Sequence, residues 1–457
     1  MAILGMLNTE QFQSQRFKNV RRSVFYFYPN GAAPLTGLLS MLKEEDTDDP
    51  EFQWYEKRLS KQRTATVANT AGGPFATTSN VDQPSPFSVV QDNIIRVAVA
   101  DATVFRIGHS VQIRSVTTSG TATPDVFGVV TNVLNALTPQ LIEIRILTAV
   151  SNILNTSANI ANEVFVIGSA FRQGIVDISS QIYNTPVNVP NNCQIFRTPF
   201  SMTGTALKTS VKYDDTGAYK DMAKENSVYH MIEMEKAFLF GQQTESVDPA
   251  SGLPTYTTGG LLWFMNQWQL GTANGGIYGN TGSYSSGLAA GSVDTADDAR
   301  IIANSSGVLN EKIYDGYLER AFRITNNVAN EKLCFCGSGF LNVINQLYKS
   351  KSNLTADLPL EDTYGMNVVK HLTPFGTVYY KSHPLFSQND TLRYNALFVD
   401  VHNLVYRYVQ GRDTELLKNR QPMDADFRKD EWLTEAGIEV RFPESNMYIQ
   451  NVKDYAP

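Results

Sequence analysis

The sequence predicts an α+β chain of several lobes, and three observations carry that expectation. From about Pro86 to Gly174, apolar residues alternate with polar or small ones at period two, the signature of half-buried strands. Asp214 to Phe240 carries apolar residues at helical spacing, and beyond Asn310 helix and strand patterns alternate. At 457 residues, a prior of about one domain per 150 residues adds roughly two to four lobes.

Composition narrows the class. Apolar residues make up 42% of the chain, which excludes disorder from want of hydrophobicity. Charged residues are only 18%, while Asn, Thr, Ser and Gly abound. Uncharged polar surface costs less to bury than Lys or Glu, which suits a protein packed against copies of itself. A lectin-like or β-rich secreted protein would share this profile. The net charge of −7 and the lack of a basic stretch argue against sequence-independent nucleic-acid binding. Cys193, Cys334 and Cys336 are too few for a disulfide framework and fit a reducing cytoplasm. The opening MAILGMLNTEQ lacks the features of a signal peptide, and no run of about 18 apolar residues occurs, so neither standard export nor a membrane span is expected.

Residues 1–80 show little periodicity and read as an arm with an irregular segment. Phe25, Phe27, Tyr28, Leu35, Leu38 and Leu39 are expected to anchor it on neighbouring subunits, so residues 1 to about 40 should be dispensable for folding itself. The acidic run Glu44, Glu45, Asp46, Asp48, Asp49 and Glu51 reads as a solvated segment rather than a metal site. Within 81–212 the period-two runs at Ile95, Val97, Val99; Phe105, Ile107; Val111, Ile113; Ile142, Ile144, Ile146; and Val164, Val166 predict a small barrel or sandwich inserted at about 88–174.

The helix of segment 213–251 should pack through Val228, Met231, Ile232 and Leu239, with Glu235 on the same stripe. Asp214 and Asp215 suit its positive end, and Gly241 suits a left-handed cap. Residues 252–307 form a Gly-, Ser- and Thr-rich inserted region with exposed-looking Trp263 and Trp268. Residues 308–410 read as a mixed α/β lobe and 411–457 as terminal strands.

Candidate chemistry is sparse. The strand–Gly337-Ser338-Gly339–helix turn lacks a Walker lysine and has Asn342 at the third glycine position of a dinucleotide fingerprint, so tight packing is the better reading. His109, His230, His371, His383 and His402 show no zinc spacing. Asp424, Asp426, Asp430 and Glu431 are interleaved with Arg428 and Lys429, as in a mixed-charge solvated loop. No catalytic, cofactor or metal site is expected, and the chain reads as non-enzymatic.

The order of parts, with local motifs, resembles the major capsid proteins of tailed double-stranded DNA bacteriophages, whose fold is shared with the herpesvirus capsid floor. Asn192 to Arg197 resembles that family's "QIF" strand, and Phe200 to Thr205 its following "SGT" with Met202 and Thr203 intervening. His230 to Gly241 resembles the end of its spine helix; Phe398-Val399-Asp400, Leu404-Val405-Tyr406 and Thr434 to Val440 resemble late strands. The resemblance implies an N-terminal arm, an extended loop carrying the barrel-like insertion, a peripheral domain with a long spine helix to which 411–457 returns, and an axial domain at 308–410. It implies self-assembly into hexamers and pentamers of an icosahedral shell around DNA, without sequence-specific binding. A separate scaffolding protein and a portal follow, with room for a decoration or cement protein. The location implied is the virion capsid, built in the host bacterial cytoplasm. The competing readings are an encapsulin-like nanocompartment shell, a β-rich carbohydrate-binding tail or adhesion protein, and a hydrolase with carboxylates from distant segments.

Overall fold

The structure, a computed structural model, describes residues 33–39, 43–57, 63–65, 75–77, 87–89, 91–99, 102, 105–114, 126–134, 140–147, 150–154, 163–171, 173, 185–209, 217–270, 299–324, 330–351, 360–363 and 366–456. Two compact units emerge: Met1–Glu56 with Val187–Pro457, and Lys57–Pro186.

The smaller unit is built from the period-two segments. Its seven-stranded antiparallel sheet runs Arg63–Ala65, Glu163–Ser169, His109–Arg114, Val126–Leu134, Leu141–Ile146, Ile94–Ala98, Phe75–Thr77. Alternation sends Ile95, Val97, Val111, Ile113, Val126, Val130, Ile142, Ile144, Ile146, Val164 and Val166 into one core. Phe105 joins that core, whereas Ile107 is exposed beside the turn at Gly108, where φ is +89°. Among the described residues the sheet is an open path, not a closed barrel.

The larger unit holds two sheets. The first orders Glu44–Thr47, Leu404–Val409, Phe427–Val440 and Gln194–Thr203, with Glu415–Leu417 beside Phe427–Val440. Glu44–Thr47 pairs in parallel and the other strands antiparallel. The acidic run is therefore partly an edge strand and not a wholly irregular segment. Its low strand propensity is overridden by pairing with a strand some 360 residues later, Glu44 opposite Tyr406.

The second sheet orders Ile301–Ala303, Met447–Gln450, Ala396–Val399, Glu331–Cys336, Thr377–Ser382, Met366–Leu372 and Leu360–Thr363. Along Glu331–Cys336, Leu333 and Phe335 enter one core while Cys334 and Cys336 enter another. The second core is filled by the helices Glu311–Arg323 and Ser338–Lys351. The sequence boundary at residue 410 cuts across this arrangement: Leu404–Val409 lies in the first sheet, and Met447–Gln450, near the C-terminus, lies in the second.

The long helix is Ala218–Phe240, and its face toward the first sheet differs from the expected stripe. His230, Met234 and Phe238, four residues apart, make that face: the His230 ring lies between Thr198 and Thr434, and Phe238 packs edge-on against Phe196 and Tyr406. Leu239 and Ile232 are buried and Val228 is half-buried, but Met231 is 46% exposed and is no packing residue. The expectation weighted apolar spacing alone, whereas the sheet offers hydroxyls that a histidine satisfies. Gly241 is extended (φ −58°, ψ 151°) and not a left-handed cap; a Cβ there would lie 2.4 Å from the Ala237 carbonyl oxygen. Asp214 and Asp215 lie outside the described residues.

Leu261–Leu270, inside the glycine-rich region, is a helix that sinks Leu261, Phe264, Met265 and Trp268 into the first core. Trp268 is buried and Trp263 half-buried against Phe264, so they form no exposed aromatic platform. Gly337 and Gly339 are required by close packing: added Cβ atoms would meet the Arg393 carbonyl at 2.3 Å and the Tyr394 ring at 2.7 Å.

Candidate assembly surfaces

The N-terminal segment is seated by a buried polar hub. Pro34–Leu39 forms one short helix whose leucines, Leu35, Leu38 and Leu39, are fully buried in the unit's own core. Its first amides find a carboxylate: Glu235 accepts from Leu35 N at 2.9 Å, Thr36 N at 2.6 Å and Thr36 Oγ1 at 2.6 Å. His383 Nε2 donates to the same carboxylate at 2.7 Å while its Nδ1 accepts from Leu385 N at 3.2 Å. Glu235 and His383 are both fully buried, so the hub ties the segment to the long helix and to the helix Pro384–Gln388. The expected contact of Leu35, Leu38 and Leu39 with a neighbouring subunit is thus corrected: they are spent on the subunit's own core. Phe25, Phe27 and Tyr28 lie outside the described residues.

A second feature crosses the first sheet on the face away from the long helix. Even-numbered residues of Phe427–Val440 turn toward that helix, where Trp432 Nε1 donates to Ala223 O. Odd-numbered carboxylates turn the other way and are sunk beneath arginines. Glu431 meets Arg197 at 2.6 Å and Arg420 at 3.2 Å; Glu435 meets Arg412; Glu439 meets Arg407 at 2.7 Å and Arg441 at 2.5 Å. Arg407 also reaches Glu45 at 2.6 Å. Burial pushes the Glu431 carboxyl up, but the hydrogen bonds and charges of Arg197 and Arg420 outweigh it and hold the group below the usual range. Asp430 turns to the other face, where Arg428 and Tyr219 bind it. The expected solvated loop of Asp430 and Glu431 is therefore a strand with buried, paired charges. Gly437 allows the ribbon of Glu51–Glu56 and Val187–Asn192 to close over one end, since a Cβ there would lie 2.7 Å from Asn192 O and 2.9 Å from the Phe52 ring.

Four of the five histidines and all three cysteines are used inside the fold, while His402 is exposed. His371 bonds Tyr348, His109 bonds Arg106, and the three cysteines are buried. No cluster of three or more metal-ligating side chains, and no helix long and apolar enough to cross a membrane, occurs among the described residues.

Comparison with known proteins bears on these surfaces. The family model for the SU10 major capsid protein matches residues 6–453. The chain belongs to the SU10 major capsid protein family. The major capsid protein of Pseudomonas phage PaMx41 is 24% identical over 259 residues, covering 56% of this chain. The match spans 54% of that relative's own length, about half. Solved structures similar to this SU10-family chain include the capsid of a native GTA particle (TM-score 0.45, 9% identity, 98% of this chain and 99% of that one) and the cyanophage A-1(L) capsid asymmetric unit (TM-score 0.40, 12% identity, 63% and 85%).

Proposed function

We propose that this chain is the structural subunit of a tailed-phage capsid, assembling into hexamers and pentamers of an icosahedral shell around double-stranded DNA. The observation that carries the reading is the family match, which spans nearly the whole chain. The role is contact and not turnover: buried titratable groups such as Glu235, His383 and His230 are engaged in holding elements together. The first sheet with the long helix serves as the peripheral domain, the second sheet with its helices as the axial domain, and Lys57–Pro186 as the extended loop. A separate scaffolding protein and a portal complete the assembly, and a decoration protein has room to bind outside. Rings of such subunits close through heterologous contacts, one patch of each copy meeting a different patch of the next.

Electron microscopy of the expressed protein, alone and with its phage's scaffolding protein, tests this. Closed particles are expected, and particles recovered from infected cells should hold DNA. A chain that forms no closed particle in either preparation would sink the shell reading, and particles filled with a protein cargo would identify a nanocompartment instead.

A further inference from the structure

The arginine row is not neutral as a neighbour would meet it. Glu431 is 2% exposed and Glu439 fully buried, whereas the Arg197, Arg420 and Arg412 side chains are 55%, 53% and 44% exposed. Each of these three guanidiniums spends one nitrogen on its carboxylate, and a guanidinium carries five N–H donors in a planar fork. The face therefore presents spare donors, pre-oriented by the carboxylates beneath, which lowers the entropy cost of binding a further acceptor.

The complementary feature lies on the same chain. Glu44, Asp46, Asp48, Asp49 and Glu51 are exposed around the edge strand Glu44–Thr47, and none of them forms an ion pair among the described residues, while Glu45 pairs with Lys43 and turns inward to Arg407. Glu51 and Asp49 also help to raise the pKa of Tyr256, after the larger effects of desolvation and of Glu245. Carboxylates so crowded repel one another in the isolated subunit, and a cation from outside relieves that repulsion. The edge strand pairs only with Leu404–Val409, so its outer side is open among the described residues.

We infer that the arginine row of one copy receives the acidic segment Asp46–Glu51 of the next copy, a heterologous contact that rests on the shell reading above. Carboxylates match the guanidinium fork in two-point geometry, so the contact fixes register as well as attracting. Duplex DNA is the poorer occupant. Within the ladder five arginines (Arg197, Arg407, Arg412, Arg420, Arg441) and Lys43 stand over four carboxylates (Glu45, Glu431, Glu435, Glu439), a surplus of two, 6 − 4. The long-range field that drives counterion release from phosphates is thereby reduced to about a third of what six unpaired cations would give, while short-range pairing is not reduced.

The test uses the full-length chain. Asp46→Lys with Asp48→Lys changes exposed residues whose carboxylates form no hydrogen bond or ion pair among the described residues, so circular dichroism and melting should match the parent. The protein concentration needed for particle formation at low salt should rise about tenfold. Asp48→Cys combined with Arg420→Cys leaves Arg197 on Glu431, and mild oxidation of its particles should give an interchain disulfide ladder absent from dissociated subunits. Normal assembly of the lysine variant together with no ladder would overturn the contact. Particles that form normally from Arg420→Gln while its affinity for duplex DNA falls would assign the row to nucleic acid and overturn it too. A parent chain that never assembles would count against the shell reading itself, and an intact parent beside unaffected variants against this contact alone.

Discussion

Glu235 is the residue whose loss should cost the most for the fewest atoms. Its carboxylate accepts four hydrogen bonds, from Leu35 N, Thr36 N, Thr36 Oγ1 and His383 Nε2, at 2.6–2.9 Å, in full burial. Hydrogen bonds to a charged acceptor contribute about 1.5–3 kcal/mol each and are not additive. Glu235→Ala strands two buried donors and two half-buried ones and opens a cavity, so a loss of about 4–6 kcal/mol is expected, a large share of the roughly 5–15 kcal/mol that a domain possesses. Glu235→Gln keeps the shape but must turn an amide NH2 toward two of those donors, and should cost about 2–3 kcal/mol. Urea denaturation monitored by circular dichroism measures both, and limited proteolysis near Pro34 reports release of the segment. A Glu235→Ala protein within about 0.5 kcal/mol of the parent, with no new cleavage, would refute the hub as the seat of the N-terminal helix.

The helix phase is tested by Phe238→Ala, expected to cost about 3–5 kcal/mol from the aromatic cluster, against Met231→Asp, expected to melt like the parent; the reverse order would restore the rejected stripe. Burial pushes His230 down to about 4, so the unfolded chain binds a proton that the folded one refuses between about pH 6.5 and 4. His230 should thus lower stability by up to about 3 kcal/mol as the pH falls through that window, with no effect above it, and a His230→Gln protein should show a shallower pH slope in parallel denaturation curves. Because Glu56 and Val187 are opposite each other at the open end of an antiparallel ribbon, replacing Lys57–Pro186 by an Asn-Gly turn should leave the larger unit folded; loss of its helical circular dichroism would show that the two units depend on one another. Deleting residues 1–31 should leave a folded subunit, whereas deleting through Leu42 removes three buried leucines and two residues of the Glu235 hub and should yield insoluble protein.

What was legible in the sequence was local. Ile95, Val97, Val111, Ile113, Ile142, Ile144, Ile146 and Val164 face inward as alternation requires, because side-chain direction in a strand is fixed by parity. The helical pattern beginning around Asn310 is likewise the helix Glu311–Arg323, which Asn310 caps through Ile313 N at 2.9 Å. What was not legible depended on partners far along the chain. Glu235 was visible only as a charge on an apolar stripe, since its partners lie 200 residues before it and 148 after it. The acidic run could not be read as a strand without Leu404–Val409, nor Asp430 and Glu431 as buried without Tyr219 and Arg197. The expectation that residues 1 to about 40 form a dispensable arm failed at Leu35, Leu38 and Leu39 for the same reason: three leucines in six residues look weakly periodic until the long helix and Glu235 are set beside them.

The same long separations bear on how the subunit is made. The first sheet draws on Glu44–Thr47, Gln194–Thr203, Leu404–Val409 and Phe427–Val440, and the second is incomplete until Met447–Gln450 pairs with Ala396–Val399. Neither core of the larger unit can close before nearly the whole chain has been synthesised, because closing such loops costs entropy that only the late strands offset. The sheet of Lys57–Pro186 has all its partners within its own stretch and can fold first. Until Phe427–Val440 arrives, Gln194–Thr203 lacks its strand partner and Arg197 lacks Glu431. The charged ladder and the sheet edges that a neighbouring copy would meet are therefore assembled last, together with the core beneath them. An incompletely folded subunit then lacks the arginine row, and under the contact proposed above such a subunit could not join a ring through it.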